Sequence, residues 1–231
     1  ADMYYYEHHI AKATAEVGLR AVCGQTVLKF PAPDARDFEE SLAAAREFIK
    51  TWHGHPLIVP SVAPHAPFTC TQEILRATAN LAVEFDVPLQ IHISETALEV
   101  ENSRAEHGMP VVPYVKKQNV FDAKVLAAHC VHVDDGEIKT LKNHNVGVAH
   151  NPSSNMKLAS GFAPISKMIH AGLNVGIGTD GPASNNDLDM FEEIRLAAFL
   201  AKNHTNDPTA LPASLALSMA TRLGAQALHI G

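Results

Sequence analysis

Short β-branched or apolar runs alternate with amphipathic stretches along this chain, and that alternation limits its fold more than any other feature. The strand candidates are 19–22, 57–62, 87–93, 125–128, 146–149 and 174–177. Between them lie helical patterns. Phe38, Leu42, Ala45, Ile49 and Trp52 share one face after Pro33-Asp34, and 71–85 turns Ile74, Leu81 and Phe85 inward. A third helix follows Asp134-Asp135, and a fourth spans 165–171 and stops at Gly172, a natural C-terminal cap. Two more are expected over 188–202 and 213–228, the second with Pro212 placed for a first turn. Strands alternating with helices require a parallel sheet covered on its outside. A doubly wound sheet and an eight-fold barrel both satisfy that. Six evenly spaced units in 231 residues, near the ~250 typical of a barrel, favour the barrel with part of it missing. The abrupt opening on Ala1-Asp2-Met3-Tyr4 reads as the tail of a cut strand.

Composition mainly excludes. The net charge of −7, from 18 basic and 25 acidic residues, argues against a nucleic-acid or membrane-surface partner. Cys23, Cys70 and Cys130 are odd in number and form no CxxC pair, so neither a disulfide framework nor a thiolate zinc site is indicated. With no signal peptide and no apolar run long enough to span a bilayer, a cytoplasmic location is the default expectation.

Function in a βα barrel sits at the carboxyl ends of the strands. Five successive ends here carry His65, His92, His129, His150 and Asp180, among 14 histidines in the chain. Neutral imidazole and carboxylate suit a borderline divalent cation, zinc or ferrous iron. Asp180 lies in Gly178-Thr179-Asp180-Gly181, where glycines allow a sharp turn that leaves the carboxylate unshielded. It could bind a metal and take the proton of an activated water. Glu95, three residues beyond His92, could deliver a proton to the leaving side of a substrate, and His129 could orient water or hold an oxyanion. The chemistry permitted is metal-assisted hydrolytic attack on an electrophilic carbon.

The motifs Pro64-His65-Ala66-Pro67, His92-Ile93-Ser94-Glu95, Ala128-His129-Cys130-Val131-His132, His150 through Leu158, and Gly178-Thr179-Asp180-Gly181 followed by Ser184-Asn185-Asn186 occur in one order across the chain. As a set they resemble the amidohydrolase superfamily, and within it the methylthioadenosine/S-adenosylhomocysteine deaminases. The resemblance implies a (β/α)8 TIM-type barrel over 1–231 with one catalytic divalent metal, usually zinc, with iron the alternative. It implies His92 and Asp180 as ligands, and Glu95 as proton shuttle and substrate contact. His129 becomes a catalytic group behind the ligands, Asp180 a catalytic and substrate-touching acid, and His65 a contact to the purine. The implied reaction exchanges the 6-amino group of an adenosine-type base for oxygen and releases ammonia. The partner is then a small purine nucleoside, and room is left for a homo-oligomer. Other heterocycles (guanine, a pterin, an s-triazine) are the near alternative, and a non-catalytic barrel without its metal the distant one.

Two departures from the family pattern stand out. The family's His-x-His pair and a substrate glutamate would precede Ala1, and its small β-domain is also outside the chain. The first strand and part of the second are therefore expected to be missing, and the 231 residues alone to be inactive. Secondly, Cys23-Gly24-Gln25-Thr26 stands where relatives that bind the homocysteine carboxylate can carry an arginine, which tells against S-adenosylhomocysteine itself.

Several tempting residues read as structural. His53-Gly54-His55 falls between a helix and the next strand, on the stability face, and His8 and His9 belong to a loop or helix surface. Gly176-x-Gly178-x-x-Gly181 lacks the following helix and ribose-binding acid of a dinucleotide fingerprint. Cys130 is expected to be small and buried, and His132 to pack or cap near Asp134. His150 and Asn151 to Asn155 either line the pocket or shape its loop, and Met190 and Phe199 are expected in the core.

Overall fold

The structure, a computed structural model, describes residues 1–230. Contacts divide them into two units, Ala1–Ile91 with Val115–Val125, and His92–Tyr114 with Leu126 onwards.

The first unit carries β1 (Asp2–Tyr4), α1 (Glu7–Glu16), β2 (Ala21–Val27), α2 (Phe38–Trp52), β3 (Ile58–Pro64), α3 (Gln72–Phe85) and most of β4 (Pro88–Ile93). Each strand pairs in parallel with the one before it, Met3 opposite Gly24, Gly24 opposite Ser61 and Val62 opposite Leu89. Strand β2 is buried along nearly its whole length, as expected of a parallel strand covered on both faces. It extends past the expected 19–22 because polar Gln25 and Thr26 are also buried, in register with Val62 and Ala63. Gly24 makes this register possible. A Cβ there would stand 2.8 Å from Gln90 Nε2 and 2.9 Å from Ser61 Oγ. Those two groups bond each other at 2.8 Å, and the Gln90 amide also donates to the Asp2 carbonyl at 3.0 Å. Helix α2 starts where Asp37 accepts from Glu40 N–H and buries Ser41, Ala45, Phe48 and Ile49 on one stripe. Phe48 meets Ala11, Cys23 and Ile58 in a cluster edged by Trp52. Burying a side chain of that size contributes about 1.5–3 kcal/mol. His55 keeps to the structural role: its Nδ1 accepts from Leu57 N–H and Ile58 N–H and so starts β3.

The second unit holds the end of β4 and then α4 (Ala97–His107), α5 (Val111–Lys117), β5 (Lys124–His129), α6 (Asp135–Asn143), β6 (Gly147–His150), α7 (Pro152–Lys157), α8 (Ile165–His170), β7 (Val175–Ile177), α9 (Met190–Thr205), α10 (Ala213–Met219) and α11 (Arg222–Ala227); α5 and β5 straddle the division. Here too β5 pairs with β6 and β6 with β7, all parallel. The described residues thus hold seven parallel strands alternating with helices, the incomplete (β/α)8 class expected.

Three expectations need correction. The stretch 213–228 is two helices, broken at Ala220-Thr221, which frees α11 to lie against the sheet. Gly224 approaches Gly176 so closely that a Cβ on Gly176 would stand 2.9 Å from the Gly224 Cα. Phe199 is not core: it is 54% exposed under the Arg195 guanidinium, while α9 buries Glu193, Ala197 and Ala201 instead. Met190 is only partly buried. His132 does not cap near Asp134, because Glu137 fills that capping box; its Nε2 bonds the Ser160 carbonyl at 2.6 Å. Among the described residues no helix is long and apolar enough to cross a membrane.

Candidate metal centre

The second unit brings His92, Glu95, His129 and Asp180 together. His92 is the fifth residue of β4, His129 ends β5, and Asp180 follows β7. The strand ends are stitched to one another by backbone bonds, Cys130 N–H to Ile93 O, His132 N–H to Ser94 O and Gly178 N–H to His150 O. Three non-glycine residues at these ends sit in the left-handed region, Ser94 at φ 51°, His129 at φ 71° and Asp180 at φ 60°. At His129 a Cys130 N–H bond to Ala128 O of 3.1 Å closes a γ-turn of the rarer hand. That turn ends the strand at His129, and Cys130 beside it is fully buried, its thiol pKa pushed up by burial.

His92 and His129 stack with centroids 5.4 Å apart and planes at 24°. One nitrogen from each and a carboxylate oxygen of Asp180 lie within 4.8 Å of one another. His129 is 1% exposed, and its Nδ1 faces Asn155 Oδ1 at 2.9 Å. With the proton on Nδ1, Nε2 carries the lone pair, and it lies 3.8 Å from Glu95 Oε2 and 4.0 Å from Asp180 Oδ2. Asp180 is fixed in turn by Ser154 Oγ, which donates at 2.6 Å, and by Gly181 N–H at 2.8 Å. Ser160 Oγ lies 3.4 Å from Glu95 Oε1. His150, 4% exposed, is not among the three that converge; burial, and then His129, hold its pKa down at about 3. His65 lies in the first unit, with Nδ1 2.8 Å from Thr69 Oγ1.

Two imidazoles and one carboxylate are the right donor chemistry for a zinc-like cation. Ligand atoms on a tetrahedral ion are about 3.4 Å apart, given metal bonds of about 2.0–2.1 Å. The observed 4.8 Å limit is wider than that. The three side chains would have to close on an ion for it to bind all of them. In donor chemistry the residues fit a metal.

Residues that the sequence left undecided or unnoticed hold this set in place. Ser154 and Asn155, at 0% and 2% exposure, both line the site and shape its loop. Glu193, 1% exposed on α9, accepts from Ser153 N–H at 3.1 Å and Asn185 Nδ2 at 2.8 Å. The Asn185 amide also donates to Thr179 O, so one carboxylate joins the loops after β6 and β7. Glu99 plays a similar part after β4. The Thr96-x-x-Glu99 spacing, a capping box, was its only visible signal.

The Amidohydrolase family matches residues 1–231. The chain is similar to the 5-methylthioadenosine/S-adenosylhomocysteine deaminase of Desulforudis audaxviator, at 46% identity over 100% of this chain and 53% of that protein. It is also similar to the 5'-deoxyadenosine deaminase of Methanothermobacter thermautotrophicus, at 45% identity over 99% of this chain and 54% of that protein. Among solved structures, a zinc-bound adenosine deaminase from Xanthomonas campestris aligns with a TM-score of 0.96 and 39% identity, covering 99% of this chain and 52% of that one. The chain therefore spans about half the length of the relatives it matches. With the parallel βα order, the rim of imidazoles and carboxylates and a match along its whole length, the chain belongs to the amidohydrolase family.

Proposed function

We propose that the protein carrying this chain is a zinc-dependent aminohydrolase acting on an adenine nucleoside, 5'-methylthioadenosine first, with adenosine next and S-adenosylhomocysteine, which Cys23-Gly24-Gln25-Thr26 tells against, behind both. Water adds to C6 of the base, the 6-amino group leaves as ammonia, and the product is the inosine analogue. The observation that carries this reading is the meeting of Glu95 and Asp180 at His129 Nε2, at 3.8 and 4.0 Å. The names of the relatives support the substrate class.

His92 and Asp180 would hold the ion, which when bound supplies the Lewis acidity that brings the pKa of water near neutrality. Asp180 accepts the proton of the attacking water, while Ser154 and Gly181 keep its carboxylate from turning. Glu95 protonates the ring nitrogen as C6 becomes tetrahedral, Asp180 passes the water's proton to the amino group, and ammonia departs as the C6 hydroxyl returns a proton to Glu95. His129, its tautomer set by Asn155, orients the attacking water. His65 as the purine contact rests on its motif.

The test is ammonia release by the full-length, zinc-loaded protein from methylthioadenosine, S-adenosylhomocysteine, adenosine and guanine, beside a Glu95→Gln control. Release from the adenosine compounds that chelation abolishes and Glu95→Gln lowers by about 10²–10⁴-fold, to a residual rate that can still be read, is the expected result. Release from guanine alone, or from none of them with zinc bound, overturns the adenine-nucleoside reading.

A further inference from the structure

Glu99 is a buried carboxylate that the chemistry above does not use. It lies in the first turn of α4, 7% exposed. The start of α4 is already capped, since Thr96 Oγ1 accepts from Glu99 N–H at 3.1 Å. A glutamate at this position commonly reaches back to the N–H of the capping residue. This one reaches further. Its Oε2 accepts from Glu95 N–H at 2.7 Å and its Oε1 from Ser94 N–H at 3.2 Å.

Those two peptides form the turn that carries Glu95 away from β4. Ser94 is in the left-handed region at φ 51°, and its carbonyl is held from the other side by His132 N–H at 2.9 Å. A serine has no intrinsic preference for that conformation, so the turn keeps it only while neighbours impose it. Successive backbone N–H groups around a left-handed residue make an anion-binding concavity, and Glu99 occupies it. Packing alone would be served as well by an uncharged side chain. Burial raises the Glu99 pKa to about 7, a desolvation cost that an amide would not carry.

We propose that Glu99 is a positioning residue for Glu95, gripping the Ser94–Glu95 backbone so that the Glu95 carboxylate stays aimed at the substrate side of His129. The proposal rests on the reading of Glu95 as the proton carrier. Without the grip, the turn relaxes towards extended backbone and the Glu95 side chain leaves its place 3.8 Å from His129 Nε2.

The experiment is a double-mutant cycle in the full-length, zinc-loaded protein with Glu99→Gln and Glu95→Gln, accompanied by hydrogen exchange of peptides spanning β4 and the start of α4. Glutamine keeps the size but opposes one N–H with an amide NH2. The expected result is a kcat at least tenfold lower for Glu99→Gln, with KM within threefold and bound zinc unchanged. In the Glu95→Gln background the same change should cost less than twofold. Equal losses in both backgrounds would show a merely structural role and overturn the proposal. The Ser94 and Glu95 amides should exchange at least tenfold faster in Glu99→Gln, and unchanged protection overturns the grip whatever the substrate proves to be. If the wild type deaminates no nucleoside, or Glu95→Gln leaves turnover intact, the functional reading fails and exchange alone judges the grip. Glu99→Asp, which keeps the charge but falls a methylene short, replaces Glu99→Gln in the cycle should that variant not fold.

Discussion

Removing the Ser154 hydroxyl tests how the centre is held. Ser154 is fully buried, and its Oγ donates to Asp180 Oδ2 at 2.6 Å. A hydrogen bond to a charged group contributes about 1.5–3 kcal/mol. Two features put Ser154→Ala at the low end. Asp180 keeps the Gly181 N–H on its other oxygen, and its side chain is 22% exposed, so water partly replaces the lost donor. The expected loss in zinc affinity is therefore about 1.4 kcal/mol, roughly tenfold, within the 10–100-fold range known for partners behind a ligand. The assay is competition for zinc between the full-length protein and a chromogenic chelator, with thermal unfolding of both forms as a check. An affinity within twofold of wild type, in a variant that unfolds normally, would show that Ser154 does not orient Asp180 for a metal.

The other predictions concern stability. Gly147→Ala would put a Cβ 2.0 Å from the Ala227 carbonyl, a backbone atom of α11 that cannot swing aside; a loss of about 3 kcal/mol or more is expected, read as thermal unfolding or lost soluble yield. Phe199→Ala should cost no more than about 1 kcal/mol, mainly its contact with Arg195, whereas Ala197→Phe, at a site 1% exposed, should cost clearly more; urea unfolding of the pair checks the orientation of α9. Glu7 is fully buried and its pKa is raised to about 8, first by burial and then by Asp2. The folded state then holds a proton that the unfolded state has released, so stability is complete below about pH 4.5 and falls as pH rises towards about 8. Glu7→Gln should flatten that fall between pH 5.5 and 8.5, and equal slopes in urea unfolding would refute the assignment.

Legibility in the sequence followed side-chain period. Helix α2 was visible because its buried stripe contains Phe48 and Ile49, whereas α1 was not, because it buries only Glu7 and Ala11. The end of β2 looked like a loop, since Gln25 and Thr26 are polar, and only the pairing with β3 shows them in the sheet. The break between α10 and α11 follows from close backbone approaches at Gly176 and Gly224 that no local pattern announces. At the centre, the residues that could touch an ion stood out because each lies at or just beyond the end of a strand. Those that hold them did not. Glu99 and Glu193 look like helix-surface acids until their partners are seen, because their use depends on loops distant in sequence or folded back by a turn.

The left-handed backbone at Ser94, His129 and Asp180 has a consequence for how such a protein can drift. Each non-glycine residue there costs about 1–2 kcal/mol that glycine would relieve. At His129 and Asp180 glycine would remove the imidazole or the carboxylate, so a descendant that gained stability there would be chemically silent. Ser94 differs, because its buried hydroxyl has no hydrogen-bond partner among the described residues. Within this rim it is the position where a lineage can become sturdier and still keep its reaction.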